Sequence, residues 1–159
     1  MAWNTLPTFA GSHVATASEL NPFSDNLTFL HTPIVNSFYA TESPSSLTTT
    51  STTFADISAS FTKTFTTSGG LVLCLFSCVC TNAVFDWCVD GTRRGDASGG
   101  SVYWRGGTDA LMVTVPLLLT GLSAGSHTIS VQWRIPTAGT ATIFTAYGAR
   151  FYVIQRMGG

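Results

Sequence analysis

The carboxyl-terminal two thirds of the chain contain short apolar runs separated by turn signals, and in the strongest predicted strand hydrophobic and polar residues alternate with a period of two. The clearest case is residues 127–135, where Ile129, Val131, Trp133 and Ile135 alternate with polar side chains. Such alternation predicts half-buried strands. Nine strands are predicted, separated by Gly-rich or Asp-Gly turn signals: 54–65, 71–80, 84–89, 101–105, 110–115, 117–120, 127–135, 140–147 and 150–155. We therefore expect a mainly β protein, an antiparallel β-sandwich or jelly roll over residues 54–159.

The amino-terminal part of the chain is different in pattern. Leu20, Phe23 and Leu27 recur at helical spacing after Ser18, a suitable N-cap, which predicts an amphipathic helix over residues 18–30. A helix this short is marginal alone and must pack on another surface. Residues 41–53 are rich in Ser and Thr and predict an extended linker or surface loop. The expected organisation is an arm with helical and extended parts (1–40), a linker (41–53) and the β domain (54–159).

Composition restricts the partners. Charged residues are 9% of the 159 residues, against about 25% in average soluble proteins, and 25 threonines and 17 serines supply most of the polarity. With a net charge of −1, the chain has no excess of positive charge that would bind nucleic acid or an anionic membrane. The apolar run 71–80 is too short to span a bilayer, and the first residues lack the pattern of a signal peptide. We expect synthesis and assembly in a cytoplasm, with no membrane or nucleic-acid partner.

The four cysteines have the spacing C-x3-C-x-C-x7-C, which matches no zinc pattern with a tight knuckle. Cys74, Cys78 and Cys80 share one face of a predicted strand, where buried thiols acting as small apolar fillers are favoured. A disulfide between strands or subunits through Cys88 is the alternative. We expect no bound metal and no cofactor.

No arrangement typical of an active site is visible in the sequence. His127 lies in a turn signal, and no nucleophile elbow is present. Asp86 and Asp90, four residues apart on a strand, would be about 13 Å apart, too far for paired-carboxylate catalysis. Turn-stabilising roles are favoured for Asp90 and His127, so we expect no catalytic residues and no enzyme activity, and a hydrolase is the disfavoured class.

One Gly-rich region has two interpretations. Arg94-Gly95-Asp96 is an integrin-type adhesion signature, although a solvated loop is the simpler reading. Tyr103, Trp104 and Arg105 lie between two Gly-rich stretches, where stacking on a saccharide competes with packing on a neighbouring strand or subunit. The aromatic residues within predicted strands are assigned to the core: Phe85, Trp87, Trp133, Phe144, Phe151 and Tyr152.

Two stretches resemble known proteins. Residues 8–30 resemble an amino-terminal segment that recurs in tailed-bacteriophage virion proteins, and Ala15 and Thr16 stand in reverse order relative to it. The match is carried by Val14, Ala17, Leu20, Asn21, Asp25, Asn26, Leu27 and Leu30. The carboxyl half resembles phage jelly-roll domains similar to the complement and tumour-necrosis-factor type. This second match is carried by residues 89–91, 121–133, 139–140 and 149–154.

The resemblance implies a structural protein of a phage virion, in the tail or fibre apparatus or as a capsid decoration protein. The arm would attach to other virion proteins, with the apolar contacts expected from Phe9, Val14, Leu20, Phe23, Leu27 and Leu30. The jelly roll would face outward in a homo-oligomer, most often a trimer. The alternative is an adhesion module for a host receptor or glycan, with Arg94, Tyr103, Trp104 and Arg105 as its ligand loop.

Overall fold

A computed structural model describes residues 36–41, 45–67, 69–95, 102–103 and 109–155. These residues form twelve β-strands and two short 3-10 turns, Ala59–Phe61 and Thr145–Tyr147. The strands are β1 (Asn36–Thr41), β2 (Leu47–Thr49), β3 (Ala55–Asp56), β4 (Thr62–Thr67), β5 (Gly70–Thr81), β6 (Val84–Val89), β7 (Thr92–Arg93), β8 (Val102–Tyr103), β9 (Leu111–Leu122), β10 (Gly125–Arg134), β11 (Ala141–Ile143) and β12 (Arg150–Gln155). The helix predicted over residues 18–30 lies outside the described ranges.

One sheet, which we name sheet A, is built around the twelve-residue strand β5. Strands β12 and β11 follow one another along one side of β5, and β9 pairs along the other side. β1 pairs with β12 and β2 pairs with β11, so these two short strands form the border opposite β9. All of these pairings are antiparallel.

The second sheet, sheet B, is built around β10. Strand β6 pairs along one side of β10, and β3 and β4 follow one another along the other side. β7 and β8 pair with the free side of β6. The turn between β6 and β7 is Asp90-Gly91, and both residues have positive φ (52° and 77°), as Asp-Gly hairpin turns require.

The two sheets share one core. Every second residue of β5, from Val72 to Cys80, is buried, and so are Ile129, Val131 and Trp133 of β10. Phe61, in the first 3-10 turn, packs edge-on against Phe76 with ring centroids 5.1 Å apart. The architecture is mainly β and consistent with the predicted β-sandwich. No helix in the described part of the chain has the length and apolar character needed to cross a bilayer.

Several predicted strands have different boundaries in the structure. Residues 110–115 and 117–120 belong to one strand, β9, which continues through Pro116. Proline is tolerated there because β9 pairs with β5 alone among the described strands, so the proline nitrogen can face the unpaired side. The segment 140–147 contains only the short strand β11, because the chain then turns through Thr145–Tyr147 to Gly148, whose φ is 83°.

Further differences concern residues 54–65 and the aromatic residues. Residues 54–65 divide into β3, the 3-10 turn and β4, since Ser58 caps the turn by accepting a hydrogen bond from the Ser60 N–H. Phe144 and Tyr152 are partly exposed rather than core residues. Tyr152 lies opposite Leu75 on the outer side of sheet A.

Sheet A also includes residues that the sequence pattern assigned to the arm and the linker. β1 covers residues 36–41 and β2 covers residues 47–49. Neither segment alternates clearly in hydrophobicity, but both are bordering strands that need only one partner. The β-forming threonines of β2 satisfy this requirement by pairing with β11.

We predict that Phe61→Ala lowers the free energy of unfolding by about 3–5 kcal/mol, because it removes a fully buried ring and leaves a cavity between the sheets. Tyr147→Ala is the matched control, since Tyr147 is 72% exposed, and it should cost less than about 1 kcal/mol. Urea denaturation followed by tryptophan fluorescence measures both. Equal losses for the two variants would contradict this description of the core.

Candidate functional site

The outer side of sheet A is apolar over most of its length. In β5, the residues between the buried positions are Leu71, Leu73, Leu75, Ser77 and Val79, and they point away from the core. Cross-strand neighbours extend this surface: Leu118 and Ile154 lie opposite Leu73, and Pro116 and Tyr152 lie opposite Leu75. We name the following set the apolar face: Leu71, Leu73, Leu75, Val79, Met112, Pro116, Leu118, Tyr152 and Ile154.

The most exposed members of the apolar face belong to β9. Met112 is 75% exposed and Leu118 is 59% exposed, while Leu71 of β5 is 41% exposed. One polar row, formed by Arg150, Ser77 and Thr114, crosses the face between Leu75 and Val79. A contiguous apolar surface of this kind is typical of an interaction site.

Charged residues are concentrated on the other sheet. All described charged side chains except Arg150 and Asp109 belong to sheet B or to the segments that border it. They are Asp56, Lys63, Asp86, Asp90, Arg93, Arg94 and Arg134. Of these, Asp86 is buried and Lys63 lies on the core side of β4, but the outer side of sheet B still carries more of the described charged groups than the outer side of sheet A.

A buried carboxylate holds the segment after β7 against sheet B. Asp86 is fully buried and its Oδ2 accepts a hydrogen bond of 2.7 Å from the Arg93 Nε. Its Oδ1 accepts hydrogen bonds from the backbone N–H groups of Trp87 and Gly95, each 2.8 Å long. The Arg94 N–H donates to the Trp87 carbonyl at 2.9 Å. The first two residues of the Arg94-Gly95-Asp96 tripeptide are thus fixed through their backbone, and the Arg94 side chain is exposed.

Two arginine side chains lie over the ring of Phe54 beside this carboxylate. The Arg93 guanidinium carbon lies 3.7 Å from the centroid of the Phe54 ring, and that of Arg134 lies 5.1 Å from it. Both distances are within the range of cation–π attraction. Because Asp86 neutralises Arg93, the two guanidinium groups can share one ring without a large repulsion.

His127 joins two turns of sheet B. Its Nδ1 lies 2.6 Å from the Asp90 Oδ2, and its Nε2 lies 3.0 Å from the Ser123 carbonyl oxygen. Both neighbours are acceptors, so the two hydrogen bonds form together only when the imidazole carries both protons. Asp90 Oδ1 also accepts a 2.8 Å hydrogen bond from the Thr128 N–H. The turn-stabilising roles favoured for Asp90 and His127 agree with these contacts.

The same contacts shift the pKa values of both His127 and Asp90. The hydrogen bond to Asp90, followed by that to the Ser123 carbonyl, raises the pKa of His127 above its ordinary value of 6.5. The hydrogen bond from His127, followed by that from the Thr128 N–H, lowers the pKa of Asp90 below 3.8. The nearby Arg94 charge opposes the first shift and adds to the second. The pair is therefore ionised over a wide pH range below neutrality.

The cysteines are free buried thiols, as the favoured interpretation expected. Cys74, Cys78 and Cys80 point into the core from β5, and Cys88 is 7% exposed on sheet B. Burial raises the pKa of Cys74 to about 12, and burial followed by the Asp56 charge raises that of Cys88. These two thiols stay protonated at neutral pH and are poor nucleophiles. Within the described ranges, no cluster of three or more His, Cys, Asp or Glu side chains is suited to hold a metal ion.

The structure describes only part of the sites predicted from sequence. Arg94 lies just beyond β7, and Tyr103 lies in β8 opposite Val84, so both border β6. Trp104 and Arg105 lie outside the described residues, as do the six predicted attachment residues Phe9, Val14, Leu20, Phe23, Leu27 and Leu30. The apolar face and the Asp86–Arg93 pair were not predicted. The available signal for the apolar face was that residues 71–75 are apolar at both odd and even positions.

No family model matches the chain, and a search of curated proteins gives no significant match.

We predict that the His127–Asp90 pair stabilises the fold most between about pH 4 and pH 6.5. Above that range His127 loses its proton as the pH passes its raised pKa, and below it Asp90 becomes protonated as the pH passes its lowered pKa. Urea denaturation at about pH 5.5 and pH 8 should give a pH-dependent loss of up to about 1 kcal/mol. His127→Gln, which cannot carry the charge, is the control and should lack this component. The same pH dependence in both proteins would contradict the assignment.

Proposed function

We propose that this chain is a non-enzymatic structural component of a tailed-bacteriophage particle, either in the tail or fibre apparatus or as a capsid decoration protein. The observation that carries the proposal is the uncharged centre of the apolar face on an otherwise well-packed sandwich. A domain that works alone in water gains nothing from exposing Met112 and Leu118, whereas a protein that works packed among others needs such a surface. The resemblance of residues 8–30 to segments of virion proteins supports a phage particle as the assembly in which the protein is packed.

We also propose that the sandwich is a jelly roll. The strand order supports this if four pairs of short strands, β1/β2, β3/β4, β7/β8 and β11/β12, each count as one interrupted strand. The chain then has eight strands, with order 1-8-3-6 in sheet A and 2-7-4-5 in sheet B. Eight antiparallel strands divided between two sheets by long connections are the hallmark of this fold.

In this proposal the arm attaches the domain to the particle. The attachment residues Phe9, Val14, Leu20, Phe23, Leu27 and Leu30 all precede β1. β1 pairs only with β12 in the described part of sheet A, so the chain enters the sandwich at a border of that sheet. An entry at the border allows the arm to bind other virion proteins without interrupting the core. The domain would face outward as a homo-oligomer, with a trimer as the form that the resemblance suggests.

The test is whether the protein sediments with particles. Antibodies raised against the recombinant protein should label gradient-purified virions in electron micrographs. The copy number from a quantitative gel should be in the hundreds for a decoration protein and in the tens or fewer for a tail protein, because a capsid lattice has many more equivalent positions than a tail. A lysate in which the protein stays in the soluble fraction, away from intact particles, would contradict the proposal.

A second candidate function, adhesion to a host glycan or receptor, is favoured by one observation. The backbone at Arg94 and Gly95 is fixed by hydrogen bonds to Trp87 and Asp86, so the exposed Arg94 side chain extends from a rigid support. A pre-organised loop binds with a smaller entropic cost.

Adhesion predicts that the full chain binds a subset of a glycan array and that Arg94→Ala weakens this binding about tenfold or more. Combined alanine substitution of Tyr103, Trp104 and Arg105 should weaken it as well. Thr66→Ala, an exposed substitution on β4, is the control and should leave binding unchanged. Binding that survives all of these changes would exclude the loop as the receptor site.

A further inference from the structure

We propose that the apolar face is the contact surface between copies of this chain. This inference rests on the proposed function in one respect: it gives a location to the self-association that a virion component requires. Its own support comes from the chemistry, the size and the borders of the face.

The chemistry of the face selects a partner of the same kind. Its central rows, Leu73 with Leu118 and Ile154, and Leu75 with Pro116 and Tyr152, contain no charged group. Among the residues that the structure describes, Arg150, in the polar row, is the single charge on this side of sheet A. A partner with a charged surface would lose hydration against these rows and gain no ion pair. A second apolar face loses no such hydration, so another copy of this chain offers a suitable surface for a contact in a symmetric oligomer.

The size of the face is suited to the centre of a stable interface. Three strands about 4.8 Å apart and nine residues of β5 rising about 3.3 Å each give an area of about 400 Å². A standard interface buries about 800 Å² of each partner, with an apolar centre and a polar rim. Ser77, Thr114, Thr120 and Arg150 surround or cross the apolar rows and supply such a rim. The Thr114 hydroxyl already donates to the Ser77 hydroxyl at 3.4 Å, which shows that the polar row lies within the same surface.

The bordering strand β9 is less suited than the apolar face to contact a second copy of the chain. β9 pairs only with β5 in the described part of the structure, so its other side could in principle add a strand from a second copy. Pro116 lies at the middle of β9 opposite Leu75, and its nitrogen, which has no hydrogen, can face the outer side. A proline at this position disfavours a continuous ladder across this border, whereas packing through the side chains of the apolar face is not affected.

Sedimentation velocity and light scattering of the full chain test the proposal. The wild-type protein should form a discrete oligomer at micromolar concentration. Leu118→Lys and Met112→Lys should each weaken association by about 10- to 100-fold, because each removes apolar burial and places a charge in the interface. Both positions are exposed in the single chain, so the variants should keep the wild-type circular dichroism.

Thr66→Lys is the matched control, since it adds the same charge on the exposed outer side of β4 in sheet B and should leave the oligomer intact. A monomeric wild-type protein would overturn the inference, and so would an oligomer that both lysine variants leave intact. Neither result decides whether the protein is part of a particle, which the labelling of virions tests separately. A lysine-sensitive oligomer that is absent from particles would uphold this interface and contradict the virion function.

Discussion

Strand β5 is apolar on both sides, and a two-layer sandwich can cover only one of them. The side that carries Val72, Cys74, Phe76, Cys78 and Cys80 faces sheet B and is buried. The strand is held by β12 and β11 on one side and by β9 on the other, and a shift by one residue would reverse every side chain. The same inner side carries three buried thiols and the Phe76 ring, and Phe61 packs edge-on against both Phe76 and Phe151. Leu71, Leu73 and Leu75 lie on the other side, which sheet B does not cover.

Sheet B combines an apolar inner side with a buried charged group on its outer side. Its inner side contributes Trp87, Ile129 and Trp133, while its outer side buries Asp86. Removing a carboxylate from water is costly unless its oxygens are fully bonded, and here Arg93 and two backbone N–H groups satisfy them. The result is a border of sheet B whose turns are fixed by polar contacts, in contrast to the apolar outer side of sheet A.

The sequence predicted strands well where turn residues bound a short apolar run. Strands β6 and β12 have the predicted boundaries, since Asp90-Gly91 ends one and Gly148 precedes the other. β1 and β2 were assigned to the arm and linker, because the six residues of β1 show no clear alternation and the threonines of β2 have strand propensity but no periodicity. The apolar face was missed for a related reason: a period-two pattern indicates which residues share a side but not which side faces water when both are apolar. The Asp86–Arg93 pair depends on the hairpin that places Arg93 beside Cys88, although the residues are seven apart in sequence.

One border of each sheet carries a residue that opposes the addition of a further strand, whereas the outer side of sheet A is apolar and partly exposed. In sheet B the bordering strand β4 carries Lys63 opposite the buried Ile129, and a charge on the core side of a bordering strand opposes the addition of a further strand. In sheet A the bordering strand β9 contains Pro116, which has no N–H group to donate to an added strand. Uncontrolled growth through backbone ladders is disfavoured at these two borders, but the leucine-rich outer side of sheet A carries no comparable protection. Threonines at exposed positions, such as Thr64, Thr66 and Thr120, give the remaining strand surface hydroxyl groups in contact with water without adding charge. The low charge of the chain is thus consistent with a protein that limits edge pairing and reserves one apolar surface for contact.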